Sequence, residues 1–193
     1  AVTGSALFKA TEADIWLEST GGGSTYWRIL GSTGGSTHQF RIYDQTNTSD
    51  RLNIDANGQV TKPSQASFAA YRNVDGYSLN GDDFSFNATL HNIGSHFNTS
   101  NYRFTAPVAG RYLFTFYSIL NTQINNGVYS IRINGGGGYG QYVHFTTTNS
   151  SWDHVSTSWI LNLSANDYVT MRSDSNIGWH GNSWQRFCGE LLS

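Results

Sequence analysis

Apolar and polar residues alternate along much of this chain, and no stretch of 12 or more residues keeps the period of an amphipathic helix. The clearest alternation lies at 104–120, FTAPVAGRYLFTFYSIL, where Tyr112, Phe114 and Phe116 occupy every second position. Successive side chains of a β-strand point to opposite faces, so these three rings share one face of a strand. The pattern predicts an all-β protein.

The first 62 residues contain short runs of this kind, at 13–19, 25–30, 38–44 and 51–60. The connectors TGGGS and GSTGGS between them are rich in glycine, which tolerates the positive φ of tight turns. Pro63 follows the last run. We therefore predict a small antiparallel β module over 1–62, with a domain boundary at its end.

The remaining residues, 63–193, contain longer runs rich in aromatic and β-branched residues. Ten strands are predicted, near 66–72, 84–87, 91–97, 101–105, 110–120, 127–134, 139–147, 153–163, 167–174 and 184–192. About ten strands without helices in roughly 130 residues are typical of a sandwich or jelly roll.

The composition limits the classes of partner. Charged residues make up 12% of the chain, the net charge is −2 and only two lysines are present, so no basic surface for nucleic acid is expected. No apolar run reaches the roughly 18 residues that a membrane-spanning helix needs, so membrane insertion is not expected either. Cys188 is the single cysteine, which excludes an intrachain disulfide and a thiolate metal cluster.

Eight positions within 86–116 form a pattern of fixed spacing. They are Phe86, Asn92, Phe97, Phe104, Gly110, Tyr112, Phe114 and Phe116. This pattern resembles the aromatic signature of the globular head of complement C1q, a branch of the tumour-necrosis-factor-like superfamily. The segments LNLSANDYV at 161–169 and FCGELL at 187–192 resemble the same family, so the resemblance covers about 66–193. It implies a ten-stranded jelly roll that assembles as a homotrimer, with the signature rings in the core and supporting the trimer.

The N-terminal module is similar to short β modules in the tail fibres and other virion structural proteins of bacteriophages. The resemblance rests on the segments IWLES, WRI, FRIYDQTN and RLNIDANGQV. It implies that residues 1–62 join the head to a shaft or to other virion proteins. The expected location is therefore the virion, outside the cell.

The sequence contains no motif that predicts catalysis. The glycine-rich segment INGGGGYGQY at 133–142 lacks the Lys-Ser/Thr and the helix of a phosphate-binding loop. No nucleophile elbow, zinc-protease motif or acid/base pair is recognisable, so we predict a non-enzymatic protein. Asp82 and Asp83 are weak candidates for calcium, which some members of the resembled family bind, and a solvated turn is the alternative interpretation. No other cofactor is expected.

Several late aromatic residues lie beside polar loops and fall outside the signature. Tryptophan and tyrosine combine flat apolar faces with polar edges, which suits saccharide or protein surfaces. Burial in the core or in a trimer interface is the alternative. The candidate binding residues are Tyr139, Tyr142, Trp152, Trp179, His180, Asn182 and Trp184, with the segment at 174–184 as the centre of the prediction.

These features together predict a non-enzymatic virion fibre protein whose trimeric head binds a host cell-surface receptor. A glycan is one class of receptor that fits this prediction. Two alternatives remain. The first is a capsid decoration or trimerisation cap that binds no receptor. The second is a secreted complement-like lectin or cytokine-type ligand, although no Gly-x-y repeat of a collagen-like stalk occurs in this sequence.

Overall fold

The computed structural model describes residues 12–19, 25–32, 39–138, 140–149 and 152–193. The chain divides into two compact units, Ala1–Gln65 (unit 1) and Ala66–Ser193 (unit 2). This division lies close to the predicted boundary after residue 62. Apart from one turn of 3₁₀ helix, the regular structure of the described residues is entirely β, which confirms the predicted fold class.

Unit 1 contains one antiparallel sheet whose five strands follow one another in chain order. The strands are β1 Glu12–Ser19, β2 Thr25–Ser32, β3 Gln39–Asp44, β4 Ser49–Ile54 and β5 Val60–Thr61. The predicted run at 51–60 is divided between β4 and β5 because Asp55 closes a turn in its middle. The Asp55 carboxylate accepts hydrogen bonds from the backbone N–H groups of Asn57 at 2.9 Å and Gln59 at 2.8 Å.

Unit 2 is a jelly roll in which the first and last strands lie side by side. Its strands are β6 Ser67–Tyr71, β7 Tyr77–Leu79, β8 Asp82–Asp83, β9 Ala88–Ile93, β10 Phe97–Asn98, β11 Arg103–Thr105, β12 Gly110–Ile119, β13 Gly127–Ile133, β14 Tyr142–Phe145, β15 His154–Leu163, β16 Tyr168–Ser173, β17 Ile177–Trp179 and β18 Gln185–Leu191, with the 3₁₀ turn at Asn182–Trp184. One sheet has the order β15-β12-β18-β6-β9, and the other has the order β10-β11-β16-β13-β14 with β8 beside β16. Strands β7 and β17 pair with each other.

Buried side chains from both large sheets form one hydrophobic core. All six signature rings belong to it and are at most 3% exposed: Phe86, Phe97, Phe104, Tyr112, Phe114 and Phe116. On β12 the buried and less buried residues alternate strictly, as the sequence pattern predicts. Phe68, which the signature does not include, stacks on Phe97 with the ring centroids 4.7 Å apart.

The two signature residues that are not aromatic also have structural roles. The Asn92 side chain donates to the Phe97 carbonyl at 2.8 Å and accepts from the Phe97 N–H at 3.1 Å, so it closes the turn between them. A Cβ at Gly110 would lie only 2.6 Å from the Ser193 carbonyl oxygen. Only glycine permits this close approach of the C-terminal residue to the start of β12.

The structure differs from the predicted strands in several places: the sequence pattern does not predict β7, β8 or β17, and the predicted run at 91–97 is divided between β9 and β10. One predicted strand is absent from the described residues. Residues 84–87 do not form a strand, because pairing with β16 ends at β8 and one further bond from the Phe84 N–H to the Met171 carbonyl. Phe84 and Phe86 nevertheless stack on each other in the core, with centroids 5.8 Å apart. The aromatic residues at 84–87 are therefore a sign of burial in the core and not of a paired strand.

Candidate functional site

The sheet of unit 2 that contains β6, β12, β15 and β18 has two ends, measured along its strands. Ser67 pairs with Glu190 near the point where the chain enters unit 2. At the other end of the same sheet, Ser118 pairs with Gln185 and Ile119 pairs with His154. We call this other end the distal end, since it is the end farther along β6 from Ala66.

Four loop segments meet at the distal end and are joined by backbone hydrogen bonds. The N–H of Trp152 donates to the Leu120 carbonyl at 2.8 Å, and the N–H of His180 donates to the Ile119 carbonyl at 2.9 Å. The N–H of Gly181 donates to the Asp75 carboxylate at 2.8 Å. The residues at the end of β12 therefore hold the segments of Trp152 and His180, and the second of these segments holds the loop of Asp75.

These loops bring three aromatic side chains together at the surface. The rings of Trp152 and His180 are stacked, with centroids 4.5 Å apart and planes at 18°. Trp184 meets Trp152 edge to face, with centroids 5.5 Å apart. Trp152 is 58% exposed and Trp184 is 42% exposed. We call Trp152, His180, Trp184 and the neighbouring Asp75 the distal aromatic patch.

Asp75 supplies the negative charge of the patch. The Gly181 backbone N–H holds the pKa of this carboxyl below its usual value, and the hydrogen bond with His180 lowers it further against the opposing effect of desolvation. Asp75 is therefore ionised at neutral pH and acts only as an acceptor. Its side chain is 43% exposed, so its oxygens remain accessible from solvent.

His180 is held between Asp75 and Trp152. Its Nδ1 lies 3.1 Å from an Asp75 oxygen, and it must carry the proton of this bond because an ionised carboxylate cannot donate. Its Nε2 is covered and has no hydrogen-bond partner among the described residues. A covered polar atom without a partner costs about 1–3 kcal/mol, which makes Nε2 the least satisfied polar atom of the patch.

The structure corrects the prediction for Trp179, which is fully buried and cannot form part of a binding surface. β17 carries this residue into the core, where its ring packs edge-on against Phe84 with centroids 4.9 Å apart. Its Nε1 donates to the Ser173 hydroxyl at 3.2 Å. The polar residues on either side suggest an exposed loop, but Trp179 points inward while His180 returns to the surface.

The other predicted binding residues lie in different places. Asn182 is exposed at the start of the 3₁₀ turn that ends at Trp184, so it borders the patch. Tyr142 lies on β14 in the other large sheet, and its ring centroid is 5.6 Å from the Arg132 guanidinium, so it is not part of the patch. Tyr139 lies outside the described residues. Asp75 was not among the candidates, because a single Asp-Gly pair carries no signal beyond that of a turn.

Asp82 and Asp83, the weak calcium candidates, are not in an open turn. They form β8 and pair with Ser173 and Arg172. An Asp83 oxygen lies 3.8 Å from the Arg172 guanidinium, and desolvation raises the pKa of Asp83. The described residues contain no group of three or more His, Cys, Asp or Glu side chains with the arrangement of a metal site. The nearby arginine already supplies a positive charge to Asp83.

A second surface lies on the outward face of the sheet that contains β12. Its central pairs are uncharged: Leu113 lies beside Ile160, which is 64% exposed, and the Thr115 and Ser158 hydroxyls are hydrogen-bonded at 3.0 Å. Cys188 lies beside Thr115 on the same face and is half-buried, with its thiol pKa raised by desolvation. Glu190 lies on the other side of Leu113, so the uncharged part of this face is centred on Thr115, Ser158 and Ile160. Low charge is what protein interfaces favour at their centres.

No helix among the residues that the structure describes is long and apolar enough to cross a membrane. No curated protein sequence matches the chain.

Solved structures resemble unit 2. The globular domain of zebrafish complement 1qA protein is 18% identical, with 67% of this chain and 98% of that chain covered and a TM-score of 0.51. The Eiger tumour necrosis factor of S. frugiperda is 9% identical, with 67% and 94% covered and a TM-score of 0.53. Murine APRIL is 11% identical, with 66% and 99% covered and a TM-score of 0.50. These likenesses show the jelly-roll fold.

The family model of the C1q domain matches residues 67–192. Domains of the C1q and tumour-necrosis-factor type form homotrimers, bind ligands or receptors, are usually extracellular and are generally non-enzymatic. The matched region is nearly the whole of unit 2 and well over half of the sequence, so the chain belongs to the C1q domain family.

Proposed function

We propose that this chain is a homotrimeric virion fibre protein whose C1q head binds a glycan receptor on the host cell surface through the distal aromatic patch. The observation that carries the proposal is the exposed pair Trp152 and Trp184 beside an ionised carboxylate at the distal end. Two large exposed rings in contact are an unusual surface feature unless they bind a partner.

The chemistry of the patch suits a saccharide. The exposed faces of Trp152 and Trp184 offer apolar area against the C–H face of a sugar ring. Asp75 and the exposed Asn182 lie close enough in the fold to border that area with hydrogen-bonding groups for hydroxyls. The two rings stand at 77° to each other, so they form a corner and not a flat platform. In such a corner, one sugar ring can contact both tryptophan side chains, one on each of two sides.

Homotrimer formation is part of the proposal. The outward face of the sheet that contains β12 is the surface through which the three copies would contact one another. Its uncharged centre and the exposed Ile160 support burial against other copies. Each trimer would then present three distal aromatic patches. Three weak sites on one rigid head gain apparent affinity of roughly 10²–10⁴ over a single site without any new contact.

The fibre context rests on unit 1. The similarity of its sequence to bacteriophage virion modules supports a role in which residues 1–62 connect the head to a shaft or to other virion proteins. The sparse lysines and the Asn-, Thr- and Gly-rich composition agree with that context.

The test is binding of the purified full chain to whole cells of candidate bacterial hosts and to their extracted surface polysaccharides. Trp152→Ala and Trp184→Ala are the variants of the patch. Trp16→Ala is the matched control, because Trp16 in unit 1 is 53% exposed, close to the 58% of Trp152. Loss of one hot-spot aromatic costs about 1–2 kcal/mol per site, so each patch variant should weaken binding by about 5- to 30-fold, and Trp16→Ala should not.

Light scattering on the same samples separates the outcomes. Saturable binding that both patch variants leave unchanged would move the site elsewhere on the head. A stable trimer that binds no cells and no polysaccharide would instead favour a capsid decoration or trimerisation cap. Binding to animal cell surfaces alone would favour a secreted complement-like lectin or cytokine-type ligand.

A further inference from the structure

The single sheet of unit 1 has two chemically different faces. Directly paired residues of an antiparallel sheet point to the same side, so the register assigns each side chain to a face. Ile15, Ile29 and Ile42 lie in one row across three strands. The face that contains this row, here called the apolar face, carries the following residues: Ile15, Leu17, Trp27, Ile29, Phe40, Ile42, Leu52, Ile54 and Val60, with the small residues Ala13 and Gly31. At one end Asp44 lies beside Trp27 on the same face, and its charge is paired with Arg51.

The opposite face, here called the charged face, contains ion pairs formed within one copy. Arg28 forms an ion pair with Asp14, and its guanidinium lies 4.5 Å from the centroid of the Trp16 ring. Arg41 and Asp50 form a second ion pair at 2.7 Å. Paired charges in partly exposed positions are compatible with water. Leu30 is buried between Asp14 and Arg41 on this face, and the ion-paired side chains around it can remain in contact with solvent.

The apolar face has no cover among the described residues. Five of its side chains are 38–59% exposed: Ile15, Leu17, Trp27, Phe40 and Val60. At roughly 150–250 Å² for a large side chain, they leave on the order of 450 Å² of contiguous apolar surface in contact with water. The largest apolar patch of a typical monomer is about 300–600 Å² and often binds a partner, and a sheet with one apolar face has to bury that face against another layer.

We propose that the apolar face packs against the same face of the two other copies in the homotrimer, so that three single sheets form one shared core around the threefold axis. The inference rests on the homotrimer proposed above. Only five residues separate the end of β5 at Thr61 from the start of β6 at Ser67, a span of at most roughly 20 Å. Three sheets on such short tethers reach effective concentrations of order mM, which favours their association with each other over other partners.

Chemical crosslinking of the full chain tests this arrangement. In a Cys188→Ser background, a single thiol is placed on the apolar face by Leu17→Cys or Val60→Cys. Trp16→Cys and Thr61→Cys are the matched controls, since each is the chain neighbour of its partner, is similarly exposed and points to the charged face. A short bismaleimide should link copies from positions 17 and 60 with yields at least about 10-fold above those from positions 16 and 61, because only the apolar face meets another copy.

Each of the following four results would overturn the proposed shared core, and each points to a different alternative. A trimer by light scattering with equal yields on both faces, or with no links, refutes the shared core and leaves the trimeric head intact. A monomer refutes the homotrimer and the shared core together. A six-copy particle whose links depend on protein concentration means that two trimers meet through these faces. Rapid binding of a hydrophobic dye to the intact trimer, lost in Leu17→Gln but not in Trp16→Gln, means that the face is open for a different protein.

Discussion

Substitution of Trp179 by alanine should damage the stability of the head and not the chemistry of a binding surface. The Trp179 side chain is fully buried, and its ring contacts Phe84 and lies near Phe116 and Tyr129. Truncation of a buried tryptophan to alanine costs about 3–5 kcal/mol from lost burial and the cavity. Loss of the Nε1 bond to the Ser173 hydroxyl adds about 1 kcal/mol. The free energy of unfolding should therefore fall by about 4–6 kcal/mol, a large part of the stability of a domain.

Two companion variants separate the loss of the buried ring from the loss of its N–H donor and from the loss of an exposed ring. Trp179→Phe keeps a ring in the cavity but removes the N–H donor, so it should cost about 1–3 kcal/mol. Trp152→Ala removes an equally large side chain that is 58% exposed, and should cost no more than about 1 kcal/mol from the lost stack on His180. The order of the three losses follows from burial, from the size of the ring that remains and from the hydrogen bond of Nε1.

The assay is urea unfolding at a fixed protein concentration, because the stability of an oligomer depends on that concentration. Pulsed hydrogen exchange, measured on peptides that cover β12, follows the unfolding of unit 2 separately from that of unit 1. A loss below about 1.5 kcal/mol for Trp179→Ala, or a loss no larger than that of Trp152→Ala, would refute the assignment of Trp179 to the core.

Two further predictions concern single atoms. A Cβ at Gly189 would lie 2.5 Å from the Phe68 ring and 2.7 Å from the Phe114 ring, so Gly189→Ala should lower the unfolding free energy by about 1–3 kcal/mol through overpacking. Gly136→Ala in the same unit, whose Cβ would come no closer than 3.5 Å to another atom, is the control, and equal urea midpoints for the two variants would contradict the packing. Hydrogen bonds from Arg51 and Asn47 lower the pKa of Asp44 from 3.8 to about 2, so the stability of unit 1 that depends on this carboxylate is present above about pH 4 and is lost as the pH falls towards 2. The difference in urea midpoint between the wild type and Asp44→Asn, followed by circular dichroism, should shrink over that range, and a constant difference would be inconsistent with the shifted pKa.

The alternation of side chains predicts most of the long strands because a half-buried strand requires it. β12 and β15 follow the pattern over ten residues each, and the sequence assigns both within one residue of their observed limits. β7, β8 and β17 are two or three residues long, which is too short for a period of two to be recognised. These short strands form the loops of the distal end, so the least predictable part of the fold carries the candidate site.

The composition of a segment does not determine which way each of its side chains points. Trp179 and His180 are neighbours in a polar segment, yet the first is fully buried in the core and the second lies under the exposed Trp152 ring and is partly accessible. Their directions depend on the pairing of β17 with β7, a contact about 100 residues apart in the chain. Asp75 enters the patch through the same long-range contacts, so no local signal could have identified it.

The position of β18 in the sheet has a consequence for the time course of folding. This strand is synthesised after the other described strands, yet it lies between β12 and β6 in the middle of the five-stranded order. The ladder between β6 and β18 joins residues more than 100 positions apart, whereas each strand of unit 1 pairs with its neighbour in the chain. Local pairings form fast and distant ones form slowly. During synthesis on the ribosome, the meander of unit 1 can therefore pair early, while β6 keeps an open edge until residues 185–191 have emerged. A ribosome that stalls before that point would leave this edge unpaired and prone to aggregation.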